Sequence, residues 1–147
     1  MITRRTTILS MFAMLATPAF AARPQIFTNA DGQAASGYDV TSYFTTGQPQ
    51  PGLADFSIEW MGANWLFASA ENRDMFAANP ENYAPQYGGH CAYAASKNAL
   101  ASSVPEAWTV VDGKLYLNFS LGVRARWRQD IPGNIALADG FWPGLHG

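Results

Sequence analysis

AWTVVDGKLYLNF, residues 107–119, is the stretch whose reading decides the fold. Two runs rich in β-branched and aromatic residues flank Asp112-Gly113. Asp-Gly is a preferred pair for the two-residue type I′ turn, so the stretch predicts a β-hairpin. Ser120 then stands as the N-cap of a helix, LGVRARWRQDI, in which Val123, Trp127 and Ile131 recur every four residues and mark a buried stripe. Arg124 and Arg128 fall on the face expected to be solvated. Pro132 is expected to begin a last short helix, GNIALADG, with Phe141 and Trp142 packing back on the core.

The same order, hairpin then helix, precedes it. Phe56, Ile58 and Trp60 alternate with Ser57 and Glu59, the period of a half-buried strand. Residues 61–64 are expected to turn, and Trp65, Leu66 and Phe67 to return. Ser69 caps a helix carrying Met75 and Phe76 inward, and Pro80 stops it. A short helical turn ends at Pro85. Farther upstream, Asp39 caps a short helix holding Val40, Tyr43 and Phe44, which Gly47, Pro49 and Pro51 terminate. Residues 97–106 read as a loop. The fold class is α+β: small antiparallel β-hairpins, in one sheet or two, packed with several short helices.

The first 21 residues follow another logic. Arg4 and Arg5 form a positive start, Ile8 to Ala16 a mostly apolar run, and Ala19-Phe20-Ala21 a small-x-small cleavage pattern. Residues 1–21 therefore read as a secretory signal peptide, too short for a membrane anchor. Arg4-Arg5 also raises twin-arginine export, although Thr7 stands where that route favours an apolar residue. Cleavage would leave 126 of the 147 residues, with 22–36 as an extended lead-in and 37–147 as a single domain. The expected location is periplasmic or secreted, without stable membrane insertion. Losing the two arginines takes the formal charge from −2 to −4. A mildly acidic chain without a basic cluster argues against nucleic-acid binding.

The chain has one cysteine, Cys91, and two histidines, His90 and His146. A lone cysteine in an exported chain makes no internal disulfide, so the thiol is buried, bound to metal or paired with another molecule. QYGGHCAYAASK, residues 86–97, places Cys91 in the first turn of a helix begun at Gly88-Gly89, where unpaired N–H groups favour a thiolate. A thiolate suits copper, or zinc, as the ion, and Cys91 with His90 are the candidate metal ligands. Neighbours on a helix point about 100° apart, so the two meet one ion only if the Gly-Gly bend turns His90. A closed four-ligand zinc site is not expected. His146 joins only if the tail folds back, and Asp39 is better used as a cap. Tyr43, Tyr87 and Tyr93 are candidates to converge on Cys91. Adjacent Cys and His rarely reach the geometry of a catalytic pair, so no catalytic residue is assigned. Two readings stand beside metal binding: a structural or partner-binding module with an inert buried thiol, and a thiol redox protein needing a partner thiol.

GYDVTSYFTTGQP, EWMGANWLFASAENRDMFAANPENYAPQYGGHCAYAAS, EAWTVVDGKLYLNFS and RWRQDIPGNIALADGFWPGL together resemble the exported members of the YHS-domain family, from Gly37 to Leu145. The resemblance implies a small α+β module of treble-clef-related shape, associated with copper and other thiophilic metals through cysteine ligands. The sequence departs from that pattern: it has no cysteine pair, and His90 precedes Cys91 where an aromatic residue is usual.

Overall fold

The computed structural model describes residues 25–146, so the expected signal segment, 1–21, lies outside the described residues. In chain order the elements are α1 (Ser42–Thr45), β1 (Leu53–Trp60), β2 (Ala63–Phe67), α2 (Ala70–Ala78), α3 (Pro80–Tyr83), α4 (Ala92–Ser96), β3 (Val104–Val111), β4 (Lys114–Asn118), α5 (Leu121–Arg128) and α6 (Ile131–His146). The class is α+β, and the hairpins form two separate two-stranded antiparallel sheets, β1–β2 and β3–β4.

Asp112 and Gly113 take φ of 51° and 74°, the left-handed pair of a type I′ turn, so the second hairpin closes as expected. The first hairpin closes the same way at Met61 and Gly62, with φ of 51° and 76°. The turn is therefore two residues and not the expected four. Ala63 and Asn64 already pair with Trp60 and Glu59. β3 begins at Val104, inside the segment expected to be a loop, with an irregular register between Val104 and Trp108.

β4 is buried on both faces. Leu115 and Leu117 point into a core with Val40, Tyr43, Trp65, Phe67 and Phe76. Tyr116 points the other way, to Tyr87, Ala92, Ala95, Trp127, Ala138 and Leu145. The first core is aromatic: Phe76 of α2 stacks on Trp65 at 5.1 Å and meets the edge of Trp60 at 5.6 Å. The segment read as an extended lead-in contributes to it through Ile26, Ala34 and Ala35.

Ser69 and Ser120 cap α2 and α5 as expected, each accepting the N–H three residues on at 3.1 Å. Trp127 is buried and Val123 half-buried, which bears out the stripe. The arginines opposite are not merely solvated. Arg124 donates to the carbonyls of Glu106 and Trp108, and Arg128 to Thr109 Oγ1, so α5 is tied to the edge of β3. The last helix is longer than expected. It runs 16 residues through Gly140 and Pro143 to His146 because Asn134, Ala138 and Leu145 bury along one side against α4. Trp142 packs inward on Tyr87, whereas Phe141, expected to do the same, is exposed.

Candidate functional site

Asp39 is wholly buried, and its carboxylate accepts four hydrogen bonds and has no salt-bridge partner among the described residues. Oδ1 takes Thr41 N–H at 2.9 Å and Thr41 Oγ1–H at 2.6 Å. Oδ2 takes Ala68 N–H at 2.9 Å and Asn72 Nδ2–H at 2.8 Å. Asp39 was expected to cap α1, but the N-cap is Thr41 and Val40 lies before the helix; Asp39 instead joins the segment leading into α1 to the end of β2 and the start of α2. Four donors compensate a buried carboxylate, which identifies Asp39 as a structural group.

The stretch around Cys91 is built by three left-handed residues in succession: Tyr87, Gly88 and Gly89, with φ of 58°, 62° and 83°. Gly88 is required twice over, by its left-handed φ and because a Cβ there would strike the carbonyl of Gln25, whose segment crosses it. Phe27 N–H bonds to Gly88 O at 2.9 Å and fixes that crossing. The bend delays the helix. His90 is extended, at φ −66° and ψ 158°, and α4 starts only at Ala92. Cys91 is therefore the N-cap of α4, one position outside the expected first turn.

Its sulfur acts as a cap side chain. Sγ accepts Ala94 N–H at 3.5 Å and donates its proton to Asn118 Oδ1 at 3.5 Å. Asn118 Oδ1 also takes Tyr93 N–H at 3.0 Å, which fixes the orientation of the amide. Asn118 Nδ2 is buried without a hydrogen-bond partner among the described residues. Cys91 lies at the bottom of an open hollow of about 280 Å³ lined otherwise by Tyr93, Ala94, Ala101, Phe119 and Val123.

His90 is buried and faces elsewhere. Its ring packs against Phe27 at 5.7 Å and Trp142 at 5.9 Å. His146, one helical turn beyond Trp142 on α6, tilts against the same indole at 4.6 Å, so Trp142 contacts both imidazoles. His90 does not line the Cys91 hollow. Among the described residues, no three His, Cys, Asp or Glu side chains are grouped to hold a metal ion. This donor set does not fit a chelated resident metal.

Only one of the three tyrosines comes to Cys91: Tyr93 lines the hollow. Tyr43 donates to Pro105 O at 3.1 Å, and burial, then Glu106, raises its pKa. Tyr87 donates to Asp139 Oδ1 at 2.9 Å, and burial, then that bond, raises its pKa in turn. Sequence reading missed Asn118, the residue that meets the sulfur. Its strand periodicity places it beside Leu117 but says nothing of which loop reaches it.

Neither comparison, with curated proteins or with solved structures, gives a match. The family model described as YHS domain matches residues 42–87, from the start of α1 to Tyr87. The matched segment contains no cysteine or histidine and ends before His90 and Cys91, so the family match carries no thiol ligand. A metal-associated role is consistent with it at the level of the family. No described helix is long and apolar enough to cross a membrane. The match over residues 42–87 supports a YHS domain in this part of the chain.

Proposed function

We propose that the protein is a small non-catalytic binding module in which Cys91 is a structural thiol and the hollow above it receives an apolar side chain of a protein partner. One observation carries this reading: Sγ is already used in both directions, as acceptor from Ala94 and donor to Asn118, in a residue only 1% exposed. A thiol so occupied is an inert one. The walls of the hollow are carbon, and Phe119 on its rim is 51% exposed, with Leu121 close by in sequence at 55%. Exposed apolar surface around a concavity is the usual mark of a partner site. The thiol proton goes to an amide oxygen rather than to an imidazole, which supports the absence of a Cys–His nucleophile.

Native-state labelling with a maleimide tests the reading. Labelling should be slow and should follow global unfolding as urea is added. Fast labelling near neutral pH in the folded protein would refute it.

A second reading is favoured by the position of the sulfur under an open hollow. A thiophilic ion, copper ahead of zinc, binds Cys91 with its remaining ligands supplied from outside the chain. Cu(I) accepts few soft ligands, whereas a zinc site built from protein requires three or four. Cu(I) titration of the wild type and Cys91→Ser separates the readings: equal affinity supports the structural thiol, and loss in the variant supports the ion. We further propose export to the periplasm or medium, on the pattern of residues 1–21. Sequencing of the protein from its own cells should then find Ala22 first.

A further inference from the structure

We propose that the cavity between the β3–β4 turn and the start of α6 binds a small organic ammonium ion with an apolar body. The cavity measures about 450 Å³, within the ligand-sized range of roughly 300–1,000 Å³. Val111, Ile131, Pro132, Ile135 and Ala136 supply apolar lining, and the carboxylates are Asp112 and Asp139. Val111, Ile131 and Ile135 pack from behind on the core around Tyr116 and Trp127, so this surface is fixed.

The acidic side is fixed as well. Asp139 Oδ1 accepts the Tyr87 hydroxyl at 2.9 Å, and Tyr87 is held between the rings of Tyr116 and Trp142 at 6.0 and 5.8 Å. Asp112 sits at the first position of the type I′ turn. No described Lys or Arg pairs with either carboxylate; the ion pair among the described residues is Arg73–Asp74. Both carboxylates line the same cavity, and the Tyr116 hydroxyl beside it has its pKa raised by burial first, then by Asp139 and Asp112. The positive end of α6 is partly offset, since Asp130 Oδ1 takes the Gly133 N–H at 3.1 Å.

An ammonium group placed between the two carboxylates gains charge-assisted hydrogen bonds. Its hydrocarbon part covers Val111, Ile131 and Ile135. An anion is repelled, and a neutral apolar molecule leaves the carboxylates without a counter-charge. The site shares no lining residue with the Cys91 hollow, so it stands whichever reading of the thiol holds.

Amide NMR of the full chain tests it, with benzylamine as the probe and benzyl alcohol as its neutral counterpart. Benzylamine should give saturable shifts confined to residues 111–113 and 131–139. Benzyl alcohol should bind at least about fivefold more weakly, since hydrogen bonds to charged groups are the stronger kind. Asp112→Asn keeps a favoured turn pair, Asn-Gly, and so keeps the fold. Both it and Asp139→Asn should weaken benzylamine binding about five- to tenfold, and salt should weaken it in the wild type. Cys91→Ser should leave it unchanged. Equal binding of amine and alcohol, undiminished binding in both Asn variants, or shifts centred elsewhere would each overturn the proposal.

Discussion

Replacing Asp39 with alanine should destabilise this protein more than any other single truncation of a polar side chain. The carboxylate accepts from Thr41 twice, from Ala68 and from Asn72, and it is 0% exposed. In Asp39→Ala, Thr41 Oγ1 can find another acceptor by rotating. The N–H groups of Thr41 and Ala68 and the amide of Asn72 cannot rotate away together. Each buried donor left unmade costs about 1–3 kcal/mol. Relief from burying a charge and water reaching half-exposed Asn72 offset part of that sum. The net loss should be about 3–5 kcal/mol, the size seen when one member of a buried charged network is removed. For a domain of this length that corresponds to a fall in Tm of roughly 10–20 °C. Urea unfolding followed by tryptophan fluorescence measures it, with an unchanged m-value showing that only stability has moved. Asp39→Asn should fall between wild type and alanine, because its amide presents an N–H₂ to one pair of donors. A loss under 1 kcal/mol in Asp39→Ala would show that the four bonds do not hold α1, β2 and α2 together.

Three further outcomes follow from the packing. Gly88→Ala should cost about 2–4 kcal/mol, since its Cβ meets the Gln25 carbonyl and φ is +62°; thermal unfolding checks this, and an unshifted Tm refutes the crossing. Stability should fall above about pH 10, where the phenols of the unfolded chain begin to ionise. Burial raises the pKa of Tyr43, Tyr87 and Tyr116 in the folded state. Their contribution is complete below pH ~10 and is lost as pH rises toward the folded values, because above that point the unfolded state binds fewer protons. Ultraviolet titration should show these three phenols ionising only as the fold opens. Trp127→Phe should cost under about 1.5 kcal/mol, because the lost volume is offset by removing an indole N–H that is buried without a partner among the described residues; urea unfolding of the variant measures it, and a loss near the 3–5 kcal/mol of a Trp→Ala change would refute that offset.

The hairpins and two helix caps were legible because they depend on residues close in sequence. Asp112-Gly113, Ser69 and Ser120 each act within four positions of themselves. The first turn was drawn two residues too long, at 61–64, because a left-handed φ is unusual for a side chain of the size of Met61, and only the strand register confines the turn to Met61-Gly62. The length of α6 was hidden by Gly140 and Pro143, which end isolated helices but not one whose buried side is held against α4. Cys91 was read as lying on a helix start, and it does cap one. That Asn118, 27 residues on, would meet its sulfur depends on how β4 passes the 87–96 segment, and no local pattern encodes that. The arginines of α5 were read from their periodicity as solvated, but a guanidinium reaches far enough to bond a strand edge from such a face.

β4 separates the two cores and belongs to both. Its alternate side chains, Leu115 and Leu117 on one face and Tyr116 on the other, make one backbone answerable to two sets of contacts. Loosening either core frees the strand that the other requires, so the two should melt in one transition rather than as separate foldons. The same geometry sets how this chain can be cut. A fragment confined to residues 42–87 keeps the family signature yet lacks the strand that closes its hydrophobic side, and it should remain unfolded until β3 and β4 are supplied, on the same chain or in trans.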